Sequence, residues 1–193
     1  MTPLELPDEL LAIEAILGNL EAFEQLVVRY RPAVVRLART IVGSEYAEDV
    51  AQESLLLAFK ALPSIEEPRK FAPWLSAITR HRALRFSKHE TAHANKRVPL
   101  DDALLEKIEA LAKPSAYKPL TDQALADKER DEAMLKAVDG LPDDYSLPLK
   151  LHFLDDMPLK RISAFMGVPL STVKWRIHQG KKLLRAKLEN TNY

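Results

Sequence analysis

Polar and basic side chains crowd residues 170–188, a stretch that contains no acid. If this stretch is helical, Val173, Ile177, Gly180 and Leu184 share one side of it. The side chains left facing outward are Ser171, Thr172, Lys174, Trp175, Arg176, His178, Gln179, Lys181, Lys182 and Arg185. Early residues of such a helix can reach base edges in the major groove, and later cations suit phosphates. The pattern favours binding to duplex DNA, although a helical hairpin with a solvated basic face would share it.

Basic and aromatic residues interleave along residues 69–88. The candidate contacts are Arg69, Lys70, Phe71, Trp74, Arg80, His81, Arg85 and Lys88, with Arg82 and Phe86 beside them. Aromatic rings stack on unpaired bases while cations neutralise phosphates, so this composition is typical of single-stranded DNA binding. Leu75 and Ile78 are expected to be core residues, and Trp74 has the same alternative.

A third candidate surface lies on the helix expected over residues 44–62. One face of this helix combines acids with an exposed leucine: Asp49, Gln52, Glu53, Leu56 and Lys60. The opposite face has a core-like composition: Val50, Ser54, Leu57, Ala58 and Ala61. The acidic face suits docking on a protein partner of complementary charge. A solvated acidic face is the alternative.

A metal site is conceivable at His89 and His93, which lie four residues apart with Glu90 between them. A third ligand and a His-Glu-x-x-His pattern are absent, however. The sequence contains no cysteine and no glycine-rich loop for phosphate. We therefore expect no enzyme activity, no metal and no cofactor.

The charges of the 193-residue chain are segregated, although its net charge is zero. Residues 1–28 hold acids and no Lys or Arg, whereas Glu90 is the only acid in residues 69–97. Such blocks create local potentials that the net charge conceals. No apolar stretch approaches the roughly 20 residues that span a bilayer, and the N-terminus does not resemble a secretion signal. A cytoplasmic protein without membrane insertion is expected.

The elements that position these surfaces are predicted to be helices, because the sequence has few glycines and many strong helix formers. Asn19 is expected to cap a helix that Pro32 interrupts and Gly43 ends. Ser44 is expected to cap the next helix, which Pro63 stops. A further helix over residues 71–88 follows.

We predict two small helical domains, residues 1–90 and 121–193, joined by a flexible linker over residues 91–120. Near the end of the chain, a helix from Pro158, a turn at Gly167 and a helix capped by Ser171 or Thr172 form a helix-turn-helix. The predicted fold class is all-α.

Motifs in the C-terminal part resemble the second DNA-binding domain of bacterial sigma factors. They are Leu141-Pro142-Asp143-Asp144, Leu149-Lys150-Leu151-His152-Phe153, Ile162-Ser163-Ala164-Phe165-Met166-Gly167-Val168-Pro169 and Thr172-Val173-Lys174. The resemblance implies that this domain binds the upstream (−35) promoter element through its second helix. Two positions depart from the family, which commonly has serine at Trp175 and alanine at Gly180.

Motifs in the N-terminal part resemble the first domain of the same family, in its extracytoplasmic-function group. They are Ala22-Phe23, Tyr30-Arg31-Pro32, Ala47-Glu48-Asp49-Val50-Ala51-Gln52-Glu53 and Phe71-Ala72-Pro73-Trp74-Leu75-Ser76-Ala77-Ile78. The resemblance implies that the acidic face of residues 44–62 contacts the clamp helices of the largest subunit of core RNA polymerase. It also implies that residues 69–88 melt and read the downstream (−10) element. The family often has asparagine at His81 and aspartate at Arg85.

The resemblance thus implies a factor that binds core RNA polymerase and directs transcription initiation at a specific set of promoters. An anti-sigma factor is a usual partner in this family. The separation of the two domains is expected to be set by polymerase and the linker, not by mutual packing. Two alternatives stay open: a repressor that does not touch polymerase, and a polymerase-binding adaptor that does not read promoters. Binding to polymerase and to single-stranded DNA would distinguish them.

Overall fold

The computed structural model describes residues 6–94 and 133–191, and all regular structure within these ranges is helical. The N-terminal block, residues 6–94, contains α1 (Asp8–Ile16), α2 (Leu20–Ala61) and α3 (Phe71–Ala94), with 3₁₀ turns at Leu62–Ser64 and Pro68–Lys70. The C-terminal block, residues 133–191, contains α4 (133–139), α5 (Asp143–Phe153), α6 (Leu159–Met166) and α7 (Leu170–Thr191). The all-α prediction is confirmed. The predicted linker lies outside the described residues from position 95 onward.

The first turn of α2 is capped as the sequence predicts. The side-chain oxygen of Asn19 accepts a hydrogen bond from the Ala22 amide at 3.2 Å, and its side-chain amide donates to Glu14 at 3.0 Å. The first bond satisfies an amide that has no partner within the helix. The second ties the end of α1 to the start of α2.

Gly43 divides α2 into two helical segments, because its φ of 79° and ψ of 178° are not helical. A positive φ of this kind favours glycine, which has no Cβ to clash. The predicted break at Gly43 is therefore confirmed. Pro32 is expected to kink this helix or to begin a second one, and the second alternative is wrong, since Pro32 lies inside the first segment without leaving helical geometry. The second segment, residues 44–61, ends just before Pro63, as expected.

Two helix boundaries differ from the predictions. α3 continues to Ala94, beyond its predicted end at Lys88. The helix-turn-helix is confirmed, with Gly167 in left-handed geometry (φ 66°, ψ 29°) at the end of α6. However, α7 begins at Leu170, and the Val173 amide already donates to the Pro169 carbonyl at 3.1 Å. Ser171 and Thr172 therefore lie inside the first turn and do not cap it.

The two blocks pack directly on each other, so the expectation that they avoid mutual packing is wrong for this structure. The rings of Tyr30 and Phe165, one from each block, stack with their centroids 6.1 Å apart, and each residue is 1% exposed. A single apolar cluster includes residues of both blocks. The periodicity of α6 shows that Phe165 must be covered, but it does not show which element covers it.

Among the helices of residues 6–94 and 133–191, none combines the length and the apolar character that a bilayer crossing requires. Within the same ranges, no group of three His, Asp or Glu side chains is placed to hold a metal ion. The conceivable pair of His89 and His93 is not tested, because the side chain of His93 lies outside the described part.

Candidate nucleic-acid and polymerase interfaces

The buried stripe of α7 is the one that the spacing predicts. Val173 is fully buried, and Ile177 and Leu184 are 8% and 9% exposed. The exposed candidates for DNA contact are Ser171, Lys174, Trp175, His178, Lys181, Lys182 and Arg185, while Thr172, Arg176 and Gln179 are partly buried. The structure therefore presents one continuous polar and cationic face on the second helix of the helix-turn-helix, the geometry used to enter a major groove.

Gly180 allows α5 to approach α7 closely. A Cβ at this position would lie 2.8 Å from Leu149 Cδ1 and 3.3 Å from Tyr145 Cβ. At this short separation the ring of Tyr145 packs against Trp175, with centroids 6.0 Å apart and planes tilted by 52°. Tyr145 was missed by the sequence analysis, because it lies on a different helix and no spacing rule connects the two positions.

Replacing Gly180 with alanine should therefore destabilise the protein by about 1–3 kcal/mol, the usual cost of overpacking a tight contact. Thermal unfolding of the purified chain measures this change. Gly140→Ala is the matched control, since a Cβ there would meet the flexible end of Lys187 and no packed side chain. Equal melting temperatures for the two variants would contradict the prediction.

Two of the predicted DNA contacts on α7 have intramolecular partners. Arg176 forms an ion pair with Asp144 at 2.9 Å, and its side chain is 19% exposed. The Lys181 ammonium lies 4.3 Å from the ring centroid of Phe153, a cation–π contact. DNA must compete with these partners before either cation can bind a phosphate or a base.

On α3, Arg80, His81, Arg85 and Lys88 are all exposed. Their spacing puts them on one helix face, and Leu84, which is 48% exposed, lies in its middle. Leu84 was also missed by the sequence analysis, although its position three residues after His81 could have revealed it. An apolar side chain among cations adds a surface on which a base can rest.

The remaining candidates of this segment divide into exposed and buried residues. Arg69 and Lys70 lie exposed in the second 3₁₀ turn, and both bind Glu67, at 2.8 and 2.5 Å. Hydrogen bonds from Lys70 and Arg69 hold the pKa of Glu67 below its ordinary value. Phe71 is 2% exposed and packs on Tyr30. Its predicted stacking on a base is therefore wrong for this conformation, and partly buried Trp74 packs beside it.

Every residue of the predicted docking face on the second segment of α2 is exposed. This face consists of Asp49, Gln52, Glu53, Leu56 and Lys60. Leu57, predicted to be a core residue, is instead 45% exposed and adjoins Leu56, which is 52% exposed. Ala51 is buried in its place, because the buried stripe of this segment includes Val50, Ala51, Ser54 and Ala58. Glu53 forms an ion pair with Arg82 of α3.

Ion pairs join the two blocks at two places. Arg36 of α2 donates two hydrogen bonds to Asp155, one of them at 2.8 Å from Nη2 to Oδ1. Arg161 of α6 donates from Nε to Asp8 at 3.1 Å. All four side chains are at most 26% exposed. Two-point binding between shielded groups is stronger than an exposed ion pair.

Asp8 is the centre of the second contact. Besides Arg161, it accepts hydrogen bonds from Arg29 and from the Tyr30 hydroxyl, each at 2.6 Å. Burial alone would raise the pKa of the Asp8 carboxyl, but hydrogen bonds from Tyr30, Arg161 and Arg29 lower it below its ordinary value. Burial and the bond to Asp8 raise the pKa of the Tyr30 phenol. Asp8 is thus ionised and Tyr30 protonated at neutral pH.

The lowered pKa of Asp8 predicts a pH dependence. A carboxyl whose pKa falls on folding stabilises the folded form above its unfolded pKa, near 3.8, and this stabilisation is lost as the pH drops through the lowered value. We expect Asp8→Asn to melt below the wild-type chain at pH 7 and the difference to shrink towards pH 3. Thermal unfolding across this pH range is the measurement. A difference that stays constant would contradict the prediction.

Between the blocks, a cavity of about 170 Å³ is lined by Arg80 and Arg176 together, with Asp144 and Phe165. Arg80 belongs to the predicted single-strand surface and Arg176 to the predicted duplex surface. The edge of the predicted single-strand surface therefore lies next to the edge of the predicted duplex surface in this structure.

Known proteins resemble this chain over most of its length. The family model of sigma-70 region 2 matches residues 26–92, and that of sigma-70, region 4 matches residues 131–184, so that together they cover more than half of the chain. The ECF RNA polymerase sigma-E factor of Salmonella typhimurium is 28% identical over 187 residues, covering 96% of each chain. The ECF RNA polymerase sigma factor SigW of Bacillus subtilis is 27% identical over 174 residues, covering 90% of this chain and 92% of its own. The chain belongs to the ECF group of the sigma-70 family.

This sigma factor therefore binds core RNA polymerase and directs promoter recognition and transcription initiation. Its family consists of transcription initiation factors rather than catalysts, and that family acts on cytoplasmic RNA polymerase. The solved structure of CnrH in complex with the cytosolic domain of CnrY is 24% identical, has a TM-score of 0.53 and matches 95% of this chain and 97% of that one. This likeness confirms the fold.

Proposed function

We propose that the three exposed surfaces of this sigma factor divide promoter recognition among them. The docking face of α2 binds the clamp helices of the largest polymerase subunit. The exposed face of α3 (Arg80, His81, Leu84, Arg85 and Lys88), with Arg69 and Lys70, binds the melted downstream element. The outward face of α7 reads the upstream element as duplex. The observation that supports this division is that each set of side chains is exposed on a separate helix with a buried stripe behind it.

On the docking face, the carboxylates of Asp49 and Glu53 flank the apolar pair Leu56 and Leu57. The leucines supply apolar area to bury, and the carboxylates select a partner surface of positive charge. Gln52 and Lys60 extend the same face along the helix. Gly43 divides this segment from the first half of α2, and the side opposite the docking face is buried in the core at Val50 and Ala58.

At the downstream element, the cations of α3 neutralise phosphates of the separated strand. Leu84 lies among them as an apolar contact for a base. Trp74 and Phe71 pack on each other in the first turn of α3, and they do not stack on bases themselves unless the surrounding loop moves. No bond is made or broken by the chain, so its action is binding and positioning, without enzyme activity or cofactor.

Promoter binding requires the two blocks to separate. The upstream and downstream elements lie on the order of 80 Å apart along B-form DNA, whereas Arg80 and Arg176 line one small cavity here. The packed arrangement is therefore the form of the free chain. Binding of the docking face to polymerase leaves the C-terminal block to find its own site on the DNA.

An anti-sigma factor is the second protein partner that we propose. CnrH was solved bound to the cytosolic domain of CnrY. In this chain an apolar groove of about 530 Å³ between α4, α5 and α7 is lined by Met134, Leu135, Phe153 and Leu154, with Lys181 at its rim. An amphipathic helix carrying acids beside its apolar stripe would fit such a groove.

In vitro transcription tests the proposed function. The purified chain is added to core RNA polymerase on a library of promoter fragments, and we expect transcripts from a subset that core polymerase alone does not initiate. A chain that binds duplex DNA without binding core polymerase would be a repressor, and the proposal would fail. A chain that binds polymerase without selecting promoters would be an adaptor, which also contradicts it.

A further inference from the structure

A large aromatic side chain lies at the centre of the predicted duplex-reading face. Trp175 is 51% exposed, and its exposed neighbours on α7 are Ser171, Lys174 and His178. These neighbours are polar or cationic, as DNA contacts generally are. An indole exposed among them is energetically costly in water, which suggests that it gains a contact when the face is covered.

This indole already has an aromatic contact within the protein before DNA binds. The ring of Tyr145 packs against it from α5, and Tyr145 can reach it because Gly180 has no Cβ to hold α5 away. The two departures from the family's usual residues, at 175 and 180, are therefore parts of one arrangement. The contact with Tyr145 preorganises the Trp175 side chain, and a preorganised side chain loses less conformational entropy on binding.

The position of Trp175 selects what it can contact. It lies in the second turn of α7, among the residues that reach base edges, whereas Lys181, Lys182 and Arg185 lie further along, where phosphates are expected. On the major-groove edges of the bases, the C5-methyl group of thymine is the distinctive apolar feature. An indole edge and a methyl group are complementary surfaces that both leave water on contact.

We propose that Trp175, held in place by Tyr145, reads the C5-methyl group of a thymine in the upstream promoter element. The inference rests on the proposed function, because it assumes that α7 enters the major groove there. It makes Trp175 a specificity-determining residue and Tyr145 a positioning residue that acts through it.

The test uses polymerase holoenzyme, reconstituted from core enzyme and the full chain, on an upstream element selected from random sequences. Each thymine of the element is replaced singly by deoxyuridine, which removes the methyl group and keeps the base pair. We expect one position at which this replacement weakens binding about fourfold, the effect of uncovering one methyl group. Holoenzyme that carries Trp175→Ser should bind the thymine template and the deoxyuridine template equally.

Two further variants separate positioning from folding. The ratio of interest is the affinity for the thymine template divided by the affinity for the deoxyuridine template. Tyr145→Phe keeps the ring and should preserve this fourfold ratio, whereas Tyr145→Ala should reduce the ratio. Lys182→Ala is the matched control for a phosphate contact, since it should weaken both templates equally and leave the ratio unchanged. Circular dichroism and thermal unfolding of each variant verify that the helical content and the melting temperature stay close to those of the wild-type chain.

The inference is overturned if no thymine in the element is sensitive to loss of its methyl group, or if Trp175→Ser keeps the fourfold ratio. The second result would indicate that the indole lies on the sugar-phosphate surface. Either result leaves the proposed function intact, because the holoenzyme still binds its promoter. A holoenzyme that fails to form, or that selects no element, contradicts the proposed function itself and this inference with it.

Discussion

Replacing Asp49 and Glu53 with lysine in the same chain is expected to weaken its binding to core RNA polymerase by at least about a hundredfold, or roughly 2.7 kcal/mol. Both carboxylates are exposed on the docking face, beside the exposed Leu56 and Leu57. Reversing them would bring like charges together at the interface, which costs several kcal/mol. Titration of labelled core polymerase with the purified variant measures the dissociation constant.

Two controls make this result specific. Glu24→Lys with Glu189→Lys introduces the same change of charge at exposed positions away from the docking face, and it should leave polymerase binding within a few-fold of normal. Arg82→Ala removes the intramolecular partner of Glu53 while keeping the carboxylate, and it should also bind. If the Asp49 and Glu53 variant binds polymerase normally, the docking face has been assigned to the wrong surface.

Replacing Arg36 and Arg161 with alanine should open the free chain. Arg36 binds Asp155 and Arg161 binds Asp8, so each arginine ties its own helix to a carboxylate of the other block. Each substitution removes one partner of a shielded ion pair, Arg36 from Asp155 and Arg161 from Asp8, and such a loss costs up to several kcal/mol. Asp8 keeps its bonds to Arg29 and Tyr30, so the N-terminal block should remain folded.

Small-angle X-ray scattering would detect the opening. A compact chain of this length has a radius of gyration of about 16 Å, and separation of the blocks should increase it by several ångström. We also expect the free double variant to bind duplex promoter DNA about tenfold more tightly than the wild-type chain, roughly the effect of 1.4 kcal/mol.

A charge-swapped chain carries Arg36→Asp and Asp155→Arg in the Arg161→Ala background. The swap restores the ion pair with its direction reversed, so this chain should be more compact than the Arg36→Ala, Arg161→Ala double variant. Arg31→Ala, which breaks an exposed pair with Glu48 inside the N-terminal block, should not open the chain. Scattering that is unchanged in the double variant would mean that the apolar contact of Tyr30 with Phe165 suffices to hold the blocks together.

Much of the fold was accessible from the sequence because local rules determine it. Asn19 caps α2, Gly43 breaks it, and Gly167 forms the turn between α6 and α7, each for a reason contained within a few residues. The errors arose where a local preference, such as helix breaking by proline or capping by serine, was outweighed by the packing of the helix. Pro32 is accommodated in a helix that is packed along its length, and α7 begins before the residues best suited to cap it.

The candidate surfaces were predictable to the extent that helical spacing separates exposed from buried positions. Spacing correctly placed the acids of the docking face and every predicted outward cation of α7 except Arg176, which is partly buried. It assigned Leu57 to the wrong side and Phe71 to a DNA contact. It could not find Tyr145, or the pairing of Arg36 with Asp155, because these contacts join residues far apart in the chain. Such contacts depend on how helices pack, which no local pattern specifies.

The chain has 2 tryptophans, and each lies in a different one of the segments proposed to bind DNA. Trp74 of α3 is partly buried against Phe71, whereas Trp175 of α7 is half exposed, so their fluorescence should differ in wavelength. Replacing either one with phenylalanine leaves a single natural emitter at one end of the promoter. Upstream engagement and downstream strand separation can then be timed independently during initiation, without attaching a dye to the protein.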